Sequence, residues 1–289
     1  MTSSRAAEEA LNLNSQVQAK IGPMLKAVDD LCAAEGLRYF LIGGTLIGAV
    51  RHHGFIPWDD DIDIGMPRAD YEKFLEVSSK LPAPYEVSHS ESDRTYIWPF
   101  AKCYDTSTTV TEDLYVPFTR GVWLDIFPLD GVFAPGLPRR LHIALTEILK
   151  KLIRLQKGAF YRSSAGSGLK RALVYLSHSI LRLLPEASLT KLFFAMCKLR
   201  DFDGSRYIAN LAGRYGWREV CERAAFDSYT ITTFETYAVR VPTGYDKYLS
   251  GVYGDYMRLP PESERLPDHS RLYIDLHRSY KDRTTYRSI

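Results

Sequence analysis

Four aspartates fall within five residues in Pro57-Trp58-Asp59-Asp60-Asp61-Ile62-Asp63-Ile64-Gly65. Carboxylates this close repel one another, and something must offset that repulsion. If the segment is a strand, Asp59, Asp61 and Asp63 share one face while Ile62 and Ile64 turn to a core. Carboxylate oxygens converging on one side suit a hard cation such as Mg²⁺, which prefers a few carboxylates plus phosphate oxygens. The interleaved isoleucines argue against a merely solvated acidic turn, because they tie the acids to buried backbone. A calcium loop of the EF-hand type is set aside: Ile64 stands where that loop needs Gly, and Asp70 where it needs Glu.

Upstream, Gly43-Gly44-Thr45 follows a short apolar run and opens a helix. A strand that ends in two glycines lets backbone N–H groups approach a phosphate. A further acid, Asp125, sits in Gly121-Val-Trp-Leu-Asp-Ile-Phe-Pro-Leu-Asp130, a buried run in which a carboxylate needs a partner. A hydrogen bond in the core or a metal shared with Asp61 and Asp63 would each satisfy it; Asp130 reads as a turn residue. Arg51, beyond the Gly-Gly turn, and Lys102, on a strand facing the same cleft, are candidates for contacting phosphate. His52 and His53 do not make a metal pair, since adjacent residues diverge on a helix.

The surrounding periodicity positions these groups. Val17, Ile21, Met24, Leu25, Val28 and Leu31 have helical spacing over 15–35, ended near Gly36. Arg38–Ile42 reads as a buried strand, Thr45–His52 as a short helix, Asp61–Gly65 as a strand and Arg68–Lys80 as a helix. Strands follow at Tyr85–His89, Tyr96–Tyr104, Thr108–Glu112 and Gly121–Phe127. Helices are expected at Leu141–Leu155, Leu169–Leu184 and Leu189–Leu199, broken by Ser163–Gly168. The pattern is α+β. It divides into an N-terminal helical segment (1–36), a catalytic core (37–135), a basic helical insertion (136–225) and a C-terminal segment that packs back on the core (226–289).

The chain has 289 residues, long enough for a core without disulfide or metal staples. Its 45% hydrophobic and 25% charged residues exclude wholesale disorder. Four scattered cysteines with no CxxC pair argue for free thiols in a reducing compartment. Met1–Lys20 is polar and lacks the apolar region of a secretory signal, and the apolar run Phe40–Val50 is too short to span a bilayer. The expected location is the cytoplasm, free or peripheral at the inner face of the membrane. The net charge of +2 hides an asymmetry: Leu137–Arg200 holds 13 Lys/Arg against two acids, Glu147 and Glu186, a balance of +11. The remaining 24 Lys/Arg and 33 acids leave −9 elsewhere. Three readings stay open for the basic segment: anionic lipid, an anionic polymer acceptor, or a solvated face. No nucleic-acid motif accompanies the charge, so nucleic acid is not an expected partner.

Gly43-Gly44-Thr45-Leu46-Ile47-Gly48-Ala49-Val50-Arg51-His52 followed by Gly54-Phe55-Ile56-Pro57-Trp58-Asp59-Asp60-Asp61-Ile62-Asp63 closely resembles the signature of the LicD family. These are phosphocholine transferases and relatives, including the fukutin-related proteins. Leu124–Asp130 resembles the family's second block. Tyr253-Gly254-Asp255-Tyr256-Met257 with Leu259-Pro260-Pro261 and His269 resembles its C-terminal block.

The resemblance implies a polymerase-β-like nucleotidyltransferase core with a mixed sheet. It places the glycine turn on Gly43 and Gly44, phosphate contacts on these two and on Thr45, and metal ligands on Asp61, Asp63 and Asp125. Sixteen residues separate Gly44 from Asp61, more than is usual in that superfamily, so the extra turn brings Asp59 or Asp60 into question as a site acid. The implied reaction is Mg²⁺-dependent (or Mn²⁺-dependent) transfer of a phospho-alcohol from a CDP-alcohol donor such as CDP-choline. The implied acceptor is a hydroxyl of a cell-surface glycan, of the lipopolysaccharide or teichoic acid kind, or its lipid-linked precursor. Asp125 or Asp59 would accept the proton of that hydroxyl. The rival readings are NMP transfer from an NTP to an alcohol, and a catalytically silent membrane-associated binding protein.

Overall fold

The computed structural model describes residues 2–93, 95–161, 166–265, 267 and 269–282; residues 163–165 of the expected Ser/Gly break lie outside them. Helix α1 (Thr2–Glu35) buries Val17, Ile21, Met24, Leu25, Val28 and Leu31, as their spacing requires. Gly36 ends it in the left-handed region at φ +67°, where a side chain would be strained. After α1 the chain enters β1 (Phe40–Leu41), α2 (Gly43–Ile47) and a π-helical turn (Gly48–His52). The single helix expected over Thr45–His52 is thus two unlike segments, the second closed by His53 in the left-handed region.

Strand β2 (Asp63–Pro67) leads into α3 (Arg68–Val77), β3 (Tyr85–Ser88), β4 (Ala101–Glu112) and β5 (Phe118–Val132). The sheet order is β1-β2-β5-β4-β10, where β10 is Arg271–Asp275; β3 pairs with β4. Strand β2 runs parallel to β5 and the other pairings are antiparallel, so the sheet is mixed and the class is α+β. The strand expected at Tyr96–Tyr104 begins only at Ala101 and merges with the one expected at Thr108–Glu112 into β4. A register shift between Asp105 and Val110 joins them. Gly121 lies opposite, where a Cβ would fall 1.9 Å from the Asp105 carbonyl oxygen. The bulge therefore needs a residue without a side chain there.

Asp130, expected in a turn, is fully buried at the end of β5. Both its oxygens accept from Arg68, at 2.7 Å each, which compensates the charge in the core. The basic segment forms α4 (Leu137–Lys157), α5 (Gly168–Leu181) and α6 (Glu186–Cys197). It is followed by β6 (Tyr207–Ala209) and β7 (Cys221–Glu222), which extend the sheet from β5. A hairpin, β8 (Tyr229–Phe234) and β9 (Tyr237–Pro242), precedes α7 (Tyr245–Tyr253). All four cysteines are free thiols. Among the described residues, no helix is long and apolar enough to cross a membrane.

Candidate active site

Asp63 and Asp125 are register partners across the parallel β2–β5 pair, locked by a 2.7 Å hydrogen bond from the Asp125 N–H to the Ile62 carbonyl. Lys102 is the register partner of Asp125 from the other side, on β4. Sheet register thus sets Asp63, Asp125 and Lys102 in one row. Asp61 reaches the row from the loop before β2. One oxygen each from Asp61, Asp63 and Asp125 lies within 4.8 Å of the others.

The acidic segment is mostly loop. Strand geometry begins only at Asp63, so Asp59 and Asp61 do not alternate with Asp63 along a strand as expected. The loop is held from outside instead. On α1, Asn14 donates to the carbonyls of Pro57 (3.2 Å) and Asp59 (2.7 Å), and Gln18 to those of Ile56 (3.2 Å) and Asp59 (2.8 Å). At the other end, the Glu235 carboxylate accepts from the Phe55 N–H, and the Glu235 N–H donates to the His53 carbonyl.

The glycine turn packs directly on these acids. A Cβ on Gly43, whose φ is +59°, would lie 2.9 Å from an Asp63 oxygen, and one on Gly44 would lie 2.8 Å from an Asp59 oxygen. Thr45 is buried, and its hydroxyl accepts the Asp63 N–H at 2.8 Å. Thr45 therefore holds the backbone of Asp63, where a phosphate contact was expected. Lys102 also differs from expectation. It is 2% exposed, its ammonium is 2.9 Å from Asp125 Oδ1, and the Trp123 ring centroid is 4.3 Å away. The lysine side chain is sealed from water, with its ammonium paired to Asp125. Arg51 does line the cleft, with Nη1 donating to the Tyr256 carbonyl at 2.5 Å.

The electrostatics of the row are strained in the way a cation would relieve. Burial, and then the charges of Asp61, Asp125 and Asp59, push Asp63 well above the carboxylate range. Burial pushes Asp125 up to about 7, with Lys102 pulling the other way. Burial opposes the Lys102 charge, but Asp125 and Glu112 outweigh it and raise its pKa. An all-oxygen donor set, crowded and like-charged, fits a hard divalent ion.

Asp60 belongs to a neighbouring cluster. It is 2% exposed, accepts from His269 Nδ1 at 2.9 Å and pairs closely with Arg271 on β10. Against the cost of burial, these two partners lower its pKa. Burial disfavours the imidazolium of His269, yet Asp61 and Asp60 outweigh it and raise the pKa to about 10. The imidazole meets Trp123 edge to face at 5.1 Å, and its Nε2 stands 3.7 Å from Asp61. The sequence quoted His269 without a role; Asp60 four residues from Ile64 carried no mark of its distant partner.

These groups open on a cleft of about 910 Å³. Asp59, Asp61, Asp63 and Asp125 line it with Gly43 and Gly44, and Arg51, Arg214, Arg258 and Arg265 bring positive charge. Sequence reading missed the last three arginines. They come from loops after β6 and α7, which only the fold brings over the sheet.

Carboxylates on adjacent strands, a glycine turn against them and a mixed sheet define a nucleotidyltransferase-like phosphotransferase centre. Residues 36–86 match the family described as LicD/FKTN/FKRP, nucleotidyltransferase domain. The chain is 32% identical over 249 residues to lipopolysaccharide cholinephosphotransferase LicD of Haemophilus influenzae, covering 83% of this chain and 89% of that protein. It is also 32% identical over 106 residues to human ribitol 5-phosphate transferase FKRP, covering 32% of this chain and 20% of that protein. An uncharacterized Rickettsia prowazekii protein is 45% identical over 106 residues, covering 36% of this chain and 39% of that protein. The chain belongs to the LicD family and is an enzyme of its phosphotransferase class.

Proposed function

We propose that this enzyme transfers a phospho-alcohol group from a CDP-alcohol donor to a hydroxyl of a cell-surface glycan or its lipid-linked precursor. The observation that carries the reading is the three-carboxylate row of Asp61, Asp63 and Asp125 facing Gly43 and Gly44 across one cleft. Two relatives named for cholinephosphate and ribitol 5-phosphate transfer support the phospho-alcohol class.

Asp61, Asp63 and Asp125 would hold the divalent cation, Mg²⁺ or Mn²⁺. When bound, it supplies charge neutralisation for the donor's diphosphate. Gly43 and Gly44 leave room for the phosphates beside the acids. Arg51, Arg214 and Arg265 place cationic charge along the cleft and favour the phosphates in it. Lys102 and Thr45 act through Asp125 and Asp63, by fixing a carboxylate and a backbone amide.

The acceptor oxygen attacks the phosphorus that carries the alcohol. The bond from that phosphorus to the CMP oxygen breaks, and CMP leaves. Asp125 is tied to Lys102, so Asp59 takes the acceptor proton. Asp59 lies against Gly44, lines the cleft and is outside the three-carboxylate row.

The test is a thermal-shift and calorimetric screen with Mg²⁺ across CDP-choline, CDP-ethanolamine, CDP-glycerol, CDP-ribitol, CTP and ATP. The expected result is selective binding of one CDP-alcohol, lost in Asp61→Ala. Preference for CTP or ATP would replace the proposal with nucleotidyl transfer. Absence of metal-dependent binding would leave the silent binding protein. In turnover, Asp59→Asn should lower kcat with donor binding retained.

A further inference from the structure

Helices α4 and α5 each turn an apolar stripe to solvent. On α4 the stripe is Leu137, Leu141, Leu145 and Ile148, and on α5 it is Leu169, Leu173, Leu176 and Ile180. Exposure runs from 48% at Leu145 to 77% at Leu169. The spacing is helical in both, so each set forms one continuous stripe. On α4 the opposite face is already occupied by the fold: Ile143, Thr146, Leu149 and Ile153 are buried. The two helices are pinned to each other. Gln156 donates to the carbonyls of Leu181 (3.1 Å) and Leu184 (3.2 Å), and His178 Nδ1 meets the Leu155 carbonyl at 2.6 Å. A soluble surface rarely carries apolar stripes of this extent without an occupant.

Charge identifies the occupant. Arg140, Lys151 and Arg154 are exposed on α4, and Lys170 and Arg171 on α5. Only two acids fall in Leu137–Arg200, and one of them, Glu147, is paired with Lys150. Lys150 itself points inward to the Gly213 carbonyl, so it does not belong to the surface. A second copy of the chain would bring two strongly basic faces together, which Coulomb repulsion opposes. An anionic bilayer meets both features at once: leucines enter the acyl boundary while Lys and Arg reach lipid phosphates. We infer that the outer faces of α4 and α5 form a docking surface for an anionic membrane. The inference goes beyond the proposed chemistry and does not depend on it.

The test is flotation of the full chain with vesicles of phosphatidylcholine alone and of phosphatidylcholine mixed with phosphatidylglycerol. Wild type should float with the anionic vesicles and at least about tenfold less with the neutral ones. Leu141→Gln/Leu145→Gln/Ile148→Gln and Leu173→Gln/Leu176→Gln should each lower partitioning about tenfold or more at unchanged Tm. Lys151→Glu/Lys170→Glu/Arg171→Glu should abolish the preference for anionic lipid. A wild type that stays unbound, or glutamine variants that float as wild type does, would overturn the inference. So would a wild-type dimer in light scattering that the glutamine variants dissolve without any vesicle binding; the face would then pair two copies.

Discussion

Lys102 and Asp125 face each other across β4 and β5, with Nζ 2.9 Å from Oδ1 and both side chains nearly sealed from water. One carboxylate of the three-acid row thereby has a cationic partner supplied by the protein itself. The rings of Trp98 and Trp123 stand 5.2 and 4.3 Å from the ammonium and add a cation–π contribution. Lys102→Met removes one partner of a buried pair, which costs about 3–5 kcal/mol because Asp125 stays buried and unpaired. Adding Asp125→Asn removes the stranded charge, so the double variant should recover most of the lost Tm and none of the activity. Melts of the single and double variants, beside donor turnover, check both parts.

The same row sets a pH dependence. Asp125 is pushed up to about 7 and Asp63 well above its usual range, both by burial first. Between pH ~4 and pH ~7 the native protein holds protons that the unfolded chain has released, so stability falls as pH rises through that window. A bound divalent cation favours the charged carboxylates and should flatten or reverse the fall. Without metal, Asp63→Asn should melt higher than wild type at pH 7, and Mg²⁺ should stabilise it far less. Melting curves from pH 4 to 7, with chelator and with Mg²⁺, measure this; a metal-free wild type whose Tm is level across the window would count against it.

His269 acts at the other end of the scale. Its pKa in the fold, about 10, lies above the unfolded value, because Asp61 and Asp60 outweigh burial. Its contribution is therefore complete below pH ~6.5 and is lost as pH rises toward 10. His269→Asn should melt lower than wild type at pH 6 and converge with it by pH 10. Parallel Tm profiles over that range would show that the imidazolium is not what ties β10 to the acidic loop.

How far this could be read from sequence follows the range of the interactions. Helix α1 was legible because its stripe repeats every three or four residues. The row of Asp63 and Asp125 was legible because each acid interrupts a run of Ile, Val and Leu. Lys102 was legible as a strand cation beside the acids but not as the partner of Asp125, which is 23 residues away and reached only through the β4–β5 register. Asp60, with partners 209 and 211 residues distant, looked the same as its three neighbours. The merging of two expected strands into β4 depended on Gly121, a residue that reads locally as a strand start.

Helix α1 bears on the acidic loop through Asn14 and Gln18, one turn apart, whose four hydrogen bonds to the Ile56, Pro57 and Asp59 carbonyls hold the segment that carries Asp59 and Asp61. Each such bond contributes about 0.5–1.5 kcal/mol net. Asn14→Ala/Gln18→Ala should therefore lower stability by about 2 kcal/mol or more, and the loop acids should lose their fixed distance to Asp63 and Asp125. The expected signature is a higher Mg²⁺ concentration for half-maximal turnover, with a smaller change in kcat at saturating Mg²⁺. Ser15→Ala, on the exposed side of the same turn, is the control and should leave the Mg²⁺ response as in wild type. Titration of turnover against Mg²⁺ decides it: a lower Tm with an unshifted Mg²⁺ response would mean that the clamp supports the fold without setting the acids.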